Sequence, residues 1–356
     1  MQTPACCLLF LLARGAPPPL ALARRRRFGW QAGASLGPLM LIGLTPVSAA
    51  AQPPRPPAMS TLEQEISAAP PATKAGPAGS DVDRALLARD YERAEKLLAG
   101  AIARQPESRQ LLLQIANVFI MDRKPLNAAI ALKKAEALGP LDNHARLQLA
   151  LAYIAMKRAD WARPELERLA KDEPDNVIYP YWLARLDYDA AQYATAIRRL
   201  QSVVAQAPSF ARAHDNLGLC YEALNQTDEA IPHYREAVRL NRVDDKARSG
   251  WPALNLGILL RTRGDLDEAE ALFREALTYD KHFAPGYYQL GAVLEQRDRM
   301  EDAVKALRQA ISADAGYAEA YYALSRVYRR QGRTAEADAA MTTFKKLHDA
   351  RREPAR

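Results

Sequence analysis

The sequence predicts an all-α solenoid, a stack of helix–turn–helix units, and three observations support this prediction. Alanine, leucine and arginine dominate the 356 residues while glycine is sparse, and this composition favours helix. No stretch shows the sustained alternation of apolar and polar residues that is typical of strands. From Arg109 onward the chain is similar to itself at a spacing of 34 residues, and each unit contains two short apolar-periodic segments.

The amino terminus is organised like an export signal. Residues 1–51 contain five arginines, four of them consecutive at Arg24–Arg27, and no acidic side chain. An apolar stretch over 28–47 follows, and small residues precede Gln52. Positive, apolar and small residues in this order predict a cleaved signal peptide, with twin-arginine export as one route. An uncleaved anchor formed by residues 28–47 is the alternative.

The composition changes again after the leader. Residues 52–80 are rich in proline, alanine and glycine and predict a disordered linker, which is followed by the repeat array at 81–350 and a charged tail at 351–356. The formal charge is +7, but five of the 49 basic residues lie in the leader, so 44 remain against 42 acidic residues. This near-neutral body predicts no nucleic-acid partner.

The repeat units are clearest over residues 216–241, 255–280, 289–314 and 323–348. Their openings, NLGLCYEAL, NLGILLRTR, QLGAVLEQR and ALSRVYRRQ, strongly resemble the consensus of the tetratricopeptide (TPR) repeat family. Counting backward in the same register gives eight units, the first of them partial from Asp81. The resemblance implies a right-handed superhelix of about sixteen short helices, in which the inner groove holds a protein or peptide.

Small residues test this register, because paired helices can approach closely only where their side chains are small. Position 20 is alanine in every unit: Ala94, Ala128, Ala162, Ala196, Ala230, Ala269, Ala303 and Ala337. Position 8, on the facing helix, holds Ala116, Ala150, Ala184, Gly218, Gly257, Gly291 and Ser325. Both patterns support the register.

Two prolines and one irregular spacing remain to be placed. Pro164 and Pro232 are predicted to lie in the first turns of helices capped by Asp160 and Asp228, where a missing amide costs no hydrogen bond. One unit is 39 residues long because five extra residues enter around 242–251. A lengthened turn and a dedicated binding loop both fit this insertion.

The motifs of enzymes and metal sites are missing from the sequence. It has no glycine-rich phosphate loop, no paired-cysteine motif and no His-Glu-x-x-His segment, and its five histidines lie in separate units. The sequence therefore predicts no catalytic residues, no metal and no cofactor. Cys220 is the one cysteine outside the leader and is predicted to be a small buried helix residue.

The resemblance further implies that positions 2, 5, 9, 12 and 13 of each first helix line the groove. Aromatic and arginine side chains at these positions, with asparagine at position 6, are the predicted partner-binding residues, since interfaces are enriched in such side chains. They are Tyr181, Arg185, Tyr188, Arg212, Asn216, Trp251, Asn255, Tyr288, Tyr322, Arg326 and Arg329. The competing interpretation is that these aromatic residues belong to the core. A two-carboxylate clamp is disfavoured, because its basic positions hold Tyr181, Trp251 and Gln289.

The predicted function is a non-enzymatic scaffold for protein binding, exported to the periplasm or secreted and acting in envelope or secretion assemblies. The first alternative is an assembly factor anchored in the inner membrane by residues 28–47, with its repeats facing the periplasm. A less favoured alternative is an accessory subunit of an envelope-modifying enzyme.

Overall fold

The computed structural model describes residues 79–243 and 248–352. This part of the chain contains sixteen α-helices and no strand. The first eight are α1 (Gly79–Leu87), α2 (Tyr91–Arg104), α3 (Arg109–Met121), α4 (Pro125–Ala137), α5 (Asn143–Ala155), α6 (Ala159–Asp172), α7 (Ile178–Asp189) and α8 (Tyr193–Gln206). The others are α9 (Ala211–Ala223), α10 (Thr227–Val243), α11 (Trp251–Arg263), α12 (Leu266–Tyr279), α13 (Ala284–Gln296), α14 (Met300–Ala313), α15 (Ala318–Arg330) and α16 (Thr334–Arg352).

The predictions for the leader at 1–51 and for nearly all of the linker at 52–80 lie outside the described residues. The array begins two residues earlier than predicted, with α1 at Gly79, and α1 is the shortened leading helix expected of a partial first unit. At the other end, α16 continues into the predicted tail as far as Arg352.

Each helix packs against the next one along the chain. The sixteen helices form eight consecutive helix–turn–helix pairs, one for each repeat unit. From α7 onward the first helices of neighbouring pairs also contact one another, in the order α7, α9, α11, α13 and α15. These five helices therefore form a continuous surface on one side of the stack. The all-α solenoid predicted from the sequence is confirmed.

The register is confirmed by burial at the helix crossings. All eight position-20 alanines are completely buried, as are the three alanines and the serine at position 8. The position-8 glycines lie under larger side chains, since a Cβ on Gly218 would be 2.5 Å from the ring of Tyr234 and one on Gly257 would be 2.6 Å from the ring of Phe273. Because Gly218 and Gly257 have no side chain, the facing positions of the second helices have room for the aromatic rings of Tyr234 and Phe273.

The turn within each pair places one residue in the left-handed region, five positions before the buried alanine. Only Gly264 and Gly332 are glycines there; the other six residues have φ between 54° and 61° and are Arg89, Arg123, Lys157, Ala191, Asn225 and Asp298. The amide of the following residue donates to a carbonyl five residues back, as from Gln192 to Asp187 at 2.8 Å. This bond closes a Schellman-type end on the first helix.

The prolines differ from the prediction. α6 begins at Ala159 and α10 at Thr227, so Pro164 and Pro232 are each the sixth residue of a helix and lie inside it. The predicted caps by Asp160 and Asp228 are wrong, because each aspartate is the second residue of its helix, and Arg158, which precedes α6, makes no side-chain cap. Each proline therefore removes one hydrogen bond within the helix, while burial of neighbours such as Leu166 and Tyr234 holds the helix in place.

The insertion is anchored at both ends. Asn241 is buried and exchanges two hydrogen bonds of 2.9 Å with the backbone of Ser249. Arg242 makes a bidentate pair with Glu275 of α12, with distances of 2.8 and 2.7 Å. The described flanks of the insertion are thus joined to each other and to α12.

Candidate functional site

The predicted binding residues lie on the first helices α7, α9, α11, α13 and α15, but they differ in exposure. The buried ones are Tyr181, Arg185, Tyr188, Asn216 and Asn255. The half-buried ones are Arg212, Trp251 and Tyr288, and the exposed ones are Tyr322, Arg326 and Arg329. Exposure rises toward the carboxyl-terminal end of the array.

The buried members in α7 and α9 form one hydrogen-bonded network. Arg185 donates from Nη1 to Oδ1 of Asn216. The Nδ2 of Asn216 donates to the hydroxyl of Tyr181 at 3.0 Å and to the carbonyl of Arg212 at 2.9 Å. Asn216 therefore links the first helices of two neighbouring units, and this contact is structural whether or not a partner binds.

An aromatic layer covers this network. The guanidinium carbon of Arg185 lies 5.4 Å from the ring centroid of Tyr188, whose ring meets Tyr193 edge-on at 5.4 Å. Burial raises the pKa of Tyr188 to about 12. The ring of Tyr181 packs on Phe210 at 5.0 Å. The arginine is thus enclosed by aromatic rings rather than by solvent.

Position 6 proves to be a point of contact between units. Asn255 donates to both carboxylate oxygens of Asp215 at 3.0 and 3.1 Å, and Gln148 donates to Asn117 at 2.6 Å. In each case the amide reaches position 5 or 9 of the preceding unit. Sequence reasoning missed Asp215 and Asn117, although their spacing from the amides, close to one repeat, was a signal for them.

The carboxyl-terminal part of the surface is more open and more charged. Arg326 makes a bidentate ion pair with the buried Glu295 of α13, and Arg330 lies 3.7 Å from the same carboxylate. Tyr288 is desolvated, which raises its pKa, although Arg261 and Arg326 oppose this increase. Glu295 was missed by the sequence analysis because a buried glutamate at position 12 carries no motif.

Aromatic pairs continue along this side of the array. Trp251 meets Phe283 edge-on at 5.1 Å, and Tyr288 meets Tyr317 at 5.6 Å. The exposed ring of Tyr322 packs on Phe344 of the last helix at 5.3 Å. Exposed and half-buried rings with adjacent arginines can stack on a bound chain and donate hydrogen bonds to it.

Arginines at this surface differ in their contacts. Arg212 lies with its guanidinium carbon 5.7 Å from the ring of Phe210. Arg329 is exposed and has Asp338 of α16 at 3.6 Å. An ion pair of this kind near solvent contributes little to stability, so the side chain of Arg329 can rearrange around a ligand.

The amino-terminal units present a different surface. Leu113, Ile120, Leu147 and Ile154 are half-buried against the core at the corresponding positions, and Met121 is exposed. The surface is therefore apolar early in the array and polar and aromatic later. A partner that spans both parts would need an apolar and a polar segment.

Side chains of the metal-ligating types and the buried thiol lie among the described residues. The described residues contain no group of three or more His, Cys, Asp or Glu side chains arranged to hold a metal ion. Cys220 is completely buried, as predicted, and burial raises the pKa of its thiol to about 12. No helix in the described ranges is long and apolar enough to span a bilayer.

Known proteins show the same fold. The described solenoid is similar to the crystal structure of yeast Tom70, with a TM-score of 0.60 and 15% identity, over 80% of this chain and 62% of that one. It is also similar to a chain in the crystal structure of the APC/C hetero-tetramer Cut9-Hcn1 (0.57, 16% identity, 76% and 52% covered) and to PilW, a type IV pilus biogenesis factor (0.51, 18% identity, 57% and 92% covered). At these identities the likeness shows the fold alone.

Sequence comparison points in the same direction. No curated protein sequence matches this chain. Three family models of the tetratricopeptide repeat match it, one at 209–282, one at 260–311 and one at both 82–143 and 288–342. These ranges together cover more than half of the sequence, and the structure folds the unmatched stretch between them into α5 to α8 of the same solenoid. The chain therefore belongs to the tetratricopeptide repeat family.

Proposed function

We propose that this chain is a non-catalytic scaffold that binds a segment of a partner protein along the surface formed by α7, α9, α11, α13 and α15. The supporting observation is the direct contact of these first helices with one another, which makes their surface continuous over five units. A continuous surface of this kind suits an extended peptide or a helix.

The residues along this surface support a protein ligand. Tyr288 and Tyr322 supply aromatic faces, while Arg326 and Arg329 supply donors near solvent. Tyrosine and arginine are enriched among the residues that dominate binding energy. The buried network around Asn216 keeps the first helices in fixed relative positions, so that the surface is formed before the partner arrives.

The site of action is proposed from the leader. Its arginines, apolar stretch and small residues support export, so the scaffold acts in the periplasm or outside the cell, in an envelope or secretion assembly. The alternative is an inner-membrane anchor at 28–47 with the repeats facing the periplasm. Amino-terminal sequencing of the mature protein distinguishes them: a new terminus near Gln52 supports export after cleavage, and retention of 28–47 supports the anchor.

The binding surface can be tested with exposed residues, whose truncation leaves the core intact. The groove variant combines Tyr322→Ala and Arg329→Ala, both at exposed positions. The matched control combines Leu126→Ala and Ile130→Ala on α4, which are also exposed but lie on a second helix. Circular dichroism should give the same helix content for both.

The readout is capture of partner proteins from envelope extracts by the immobilised chain. We expect the groove variant to lose the captured partner and the α4 control to keep it, because loss of one interface anchor often costs about 2 kcal/mol. Normal capture by the groove variant, together with loss by the α4 control, would assign binding to the opposite face.

A further inference from the structure

Among the described residues, five charged side chains are buried, and four of them have ion pairs. Arg146 pairs with Glu165 at 2.6 Å, and Asp187 pairs with Arg163 and Arg199, both at 2.8 Å. Glu270 pairs with Arg274, Arg297 and Arg299, and Glu295 pairs with Arg326 and Arg330. The fifth is Arg185, which is 5% exposed and has no carboxylate within ion-pair distance.

The hydrogen bonds of Arg185 are also incomplete. Its Nη1 donates to Asn216, but its Nη2 is buried and has no acceptor among the described residues. The ring of Tyr188 offers a cation–π contact but no acceptor for that N–H. Burying a charge without a counter-charge is costly, and so is burying a donor without an acceptor. Arg185 is thus a desolvated cation without an ion-pair partner among the described residues.

Asp189, on the same helix, does not supply the counter-charge for Arg185. It lies four residues after Arg185, and desolvation raises the pKa of its carboxyl while the electrostatic effect of Arg185 opposes the increase. No ion pair joins the two side chains in the described structure. The amide oxygen of Asn216 accepts from the guanidinium, and the thiol of Cys220 is near enough for Arg185 to act on it electrostatically.

We infer that Arg185 receives a carboxylate of the bound partner segment, which gives the buried guanidinium its counter-charge and gives Nη2 its acceptor. This inference rests on the proposed function and names the chemistry of its ligand. A carboxylate fits better than a phosphate group, because one guanidinium offers a single positive charge and the negative charge of Asp189 already acts on it. The carboxylate comes from an acidic side chain or from a free carboxyl terminus.

The site requires one side chain to move. The ring of Tyr188 lies over the guanidinium, so the carboxylate reaches Nη2 when this ring turns aside. This arrangement differs from the two-carboxylate clamp disfavoured by the sequence, since it uses one buried arginine held by an asparagine of the next unit. This single carboxylate–guanidinium contact contributes strongly to binding, because charge-assisted hydrogen bonds gain strength where water is excluded.

The test uses the full chain and two phage-displayed libraries of random peptides, one with blocked ends and one with free carboxyl termini. Three proteins are compared: wild type, Arg185→Gln, and Arg104→Gln as a control with the same charge change at an exposed position on the second helix α2, outside the proposed surface. The glutamine retains a donor for Asn216. Peptides are counted as groove-bound when the groove variant fails to retain them.

We expect aspartate, glutamate or a terminal carboxylate to be enriched with wild type and with Arg104→Gln, but not with Arg185→Gln. The library that shows the enrichment identifies the source of the carboxylate. For the best peptide, replacing the acid by its amide should weaken binding to wild type about tenfold and leave binding to Arg185→Gln unchanged.

Other outcomes overturn the inference. Groove-bound peptides without acidic enrichment, or enrichment that persists with Arg185→Gln, refute the carboxylate site and leave the proposed function intact. A library from which no groove-bound peptide emerges counts against the proposed function itself, and the inference fails with it. Wild type that binds the acid and amide peptides equally refutes the site even if Arg185→Gln does not fold.

Discussion

The crossing of Gly257 and Phe273 offers a quantitative test of how these helices pack. An added Cβ at Gly257 would lie 2.6, 3.0 and 3.2 Å from three carbons of the completely buried Phe273 ring. Carbon atoms in contact prefer about 3.5–4.0 Å, so the ring or the helix must move by about 1 Å. Overpacking of this kind costs about 1–3 kcal/mol.

Helix propensity acts in the opposite direction, because alanine is favoured over glycine inside a helix by about 1 kcal/mol. We expect Gly257→Ala to lower the free energy of unfolding by about 0–2 kcal/mol after this gain, as measured by urea denaturation followed by circular dichroism. A stability higher than that of wild type would contradict the packing described for this crossing.

The chain supplies its own compensating pair. Where position 8 is alanine, as at Ala150 and Ala184, the residue in the place of Phe273 is leucine, at Leu166 and Leu200. The double variant Gly257→Ala with Phe273→Leu reproduces that pair. We expect it to be more stable than the sum of the single effects by about 1 kcal/mol or more, and additivity would refute the steric explanation.

Three further predictions concern other parts of the fold. Ala191 has φ of 57° in the turn after α7, so Ala191→Gly should raise the free energy of unfolding by about 1 kcal/mol. Gly332 has φ of 74°, so Gly332→Ala should lower it. Equal stabilities of the two variants and wild type would contradict the left-handed backbone at these positions. Burial raises the pKa of Cys220 to about 12, so iodoacetamide near pH 8 should alkylate this thiol only as the chain unfolds. Mass spectrometry locates the label, and rapid labelling of Cys220 in the native protein would contradict its burial. The ion pair with Arg242 lowers the pKa of Glu275, so its stabilisation should be present above about pH 4.3 and lost as the pH falls through the folded-state value. Urea denaturation of Glu275→Gln should therefore show a deficit against wild type at pH 7 that disappears in acid, and a constant deficit would count against the pair.

The sequence alone was sufficient for the fold because the repeat restates the same local requirements eight times. Each unit needs a small residue where its two helices cross, and alanine at position 20 satisfies this in every unit. The pattern also located the partial first unit and predicted burial of Cys220. It did not place Pro164, since packing of Leu166 and its neighbours starts α6 before Asp160 and outweighs the helix bond lost at the proline.

The candidate site was predictable only as a set of positions. Resemblance to the tetratricopeptide repeat family implied which helix positions line the groove, and the repeat spacing only carried those positions onto each unit. Which of them are open to a partner depends on how closely successive first helices approach, and that distance is set by contacts between units. Asn216 became a buried bridge between α7 and α9, whereas Tyr322 at the end of the array remained exposed.

What the sequence determined by itself is therefore the architecture: helices, register and the side of the array that carries aromatic and arginine residues. Only the tertiary structure decided that Glu295 has its counter-charges in Arg326 and Arg330 while Arg185 has none. Helical periodicity is local and can be read from one segment. The partner of a buried charge is set by the packing of a neighbouring unit about 30 residues away, which local periodicity does not encode.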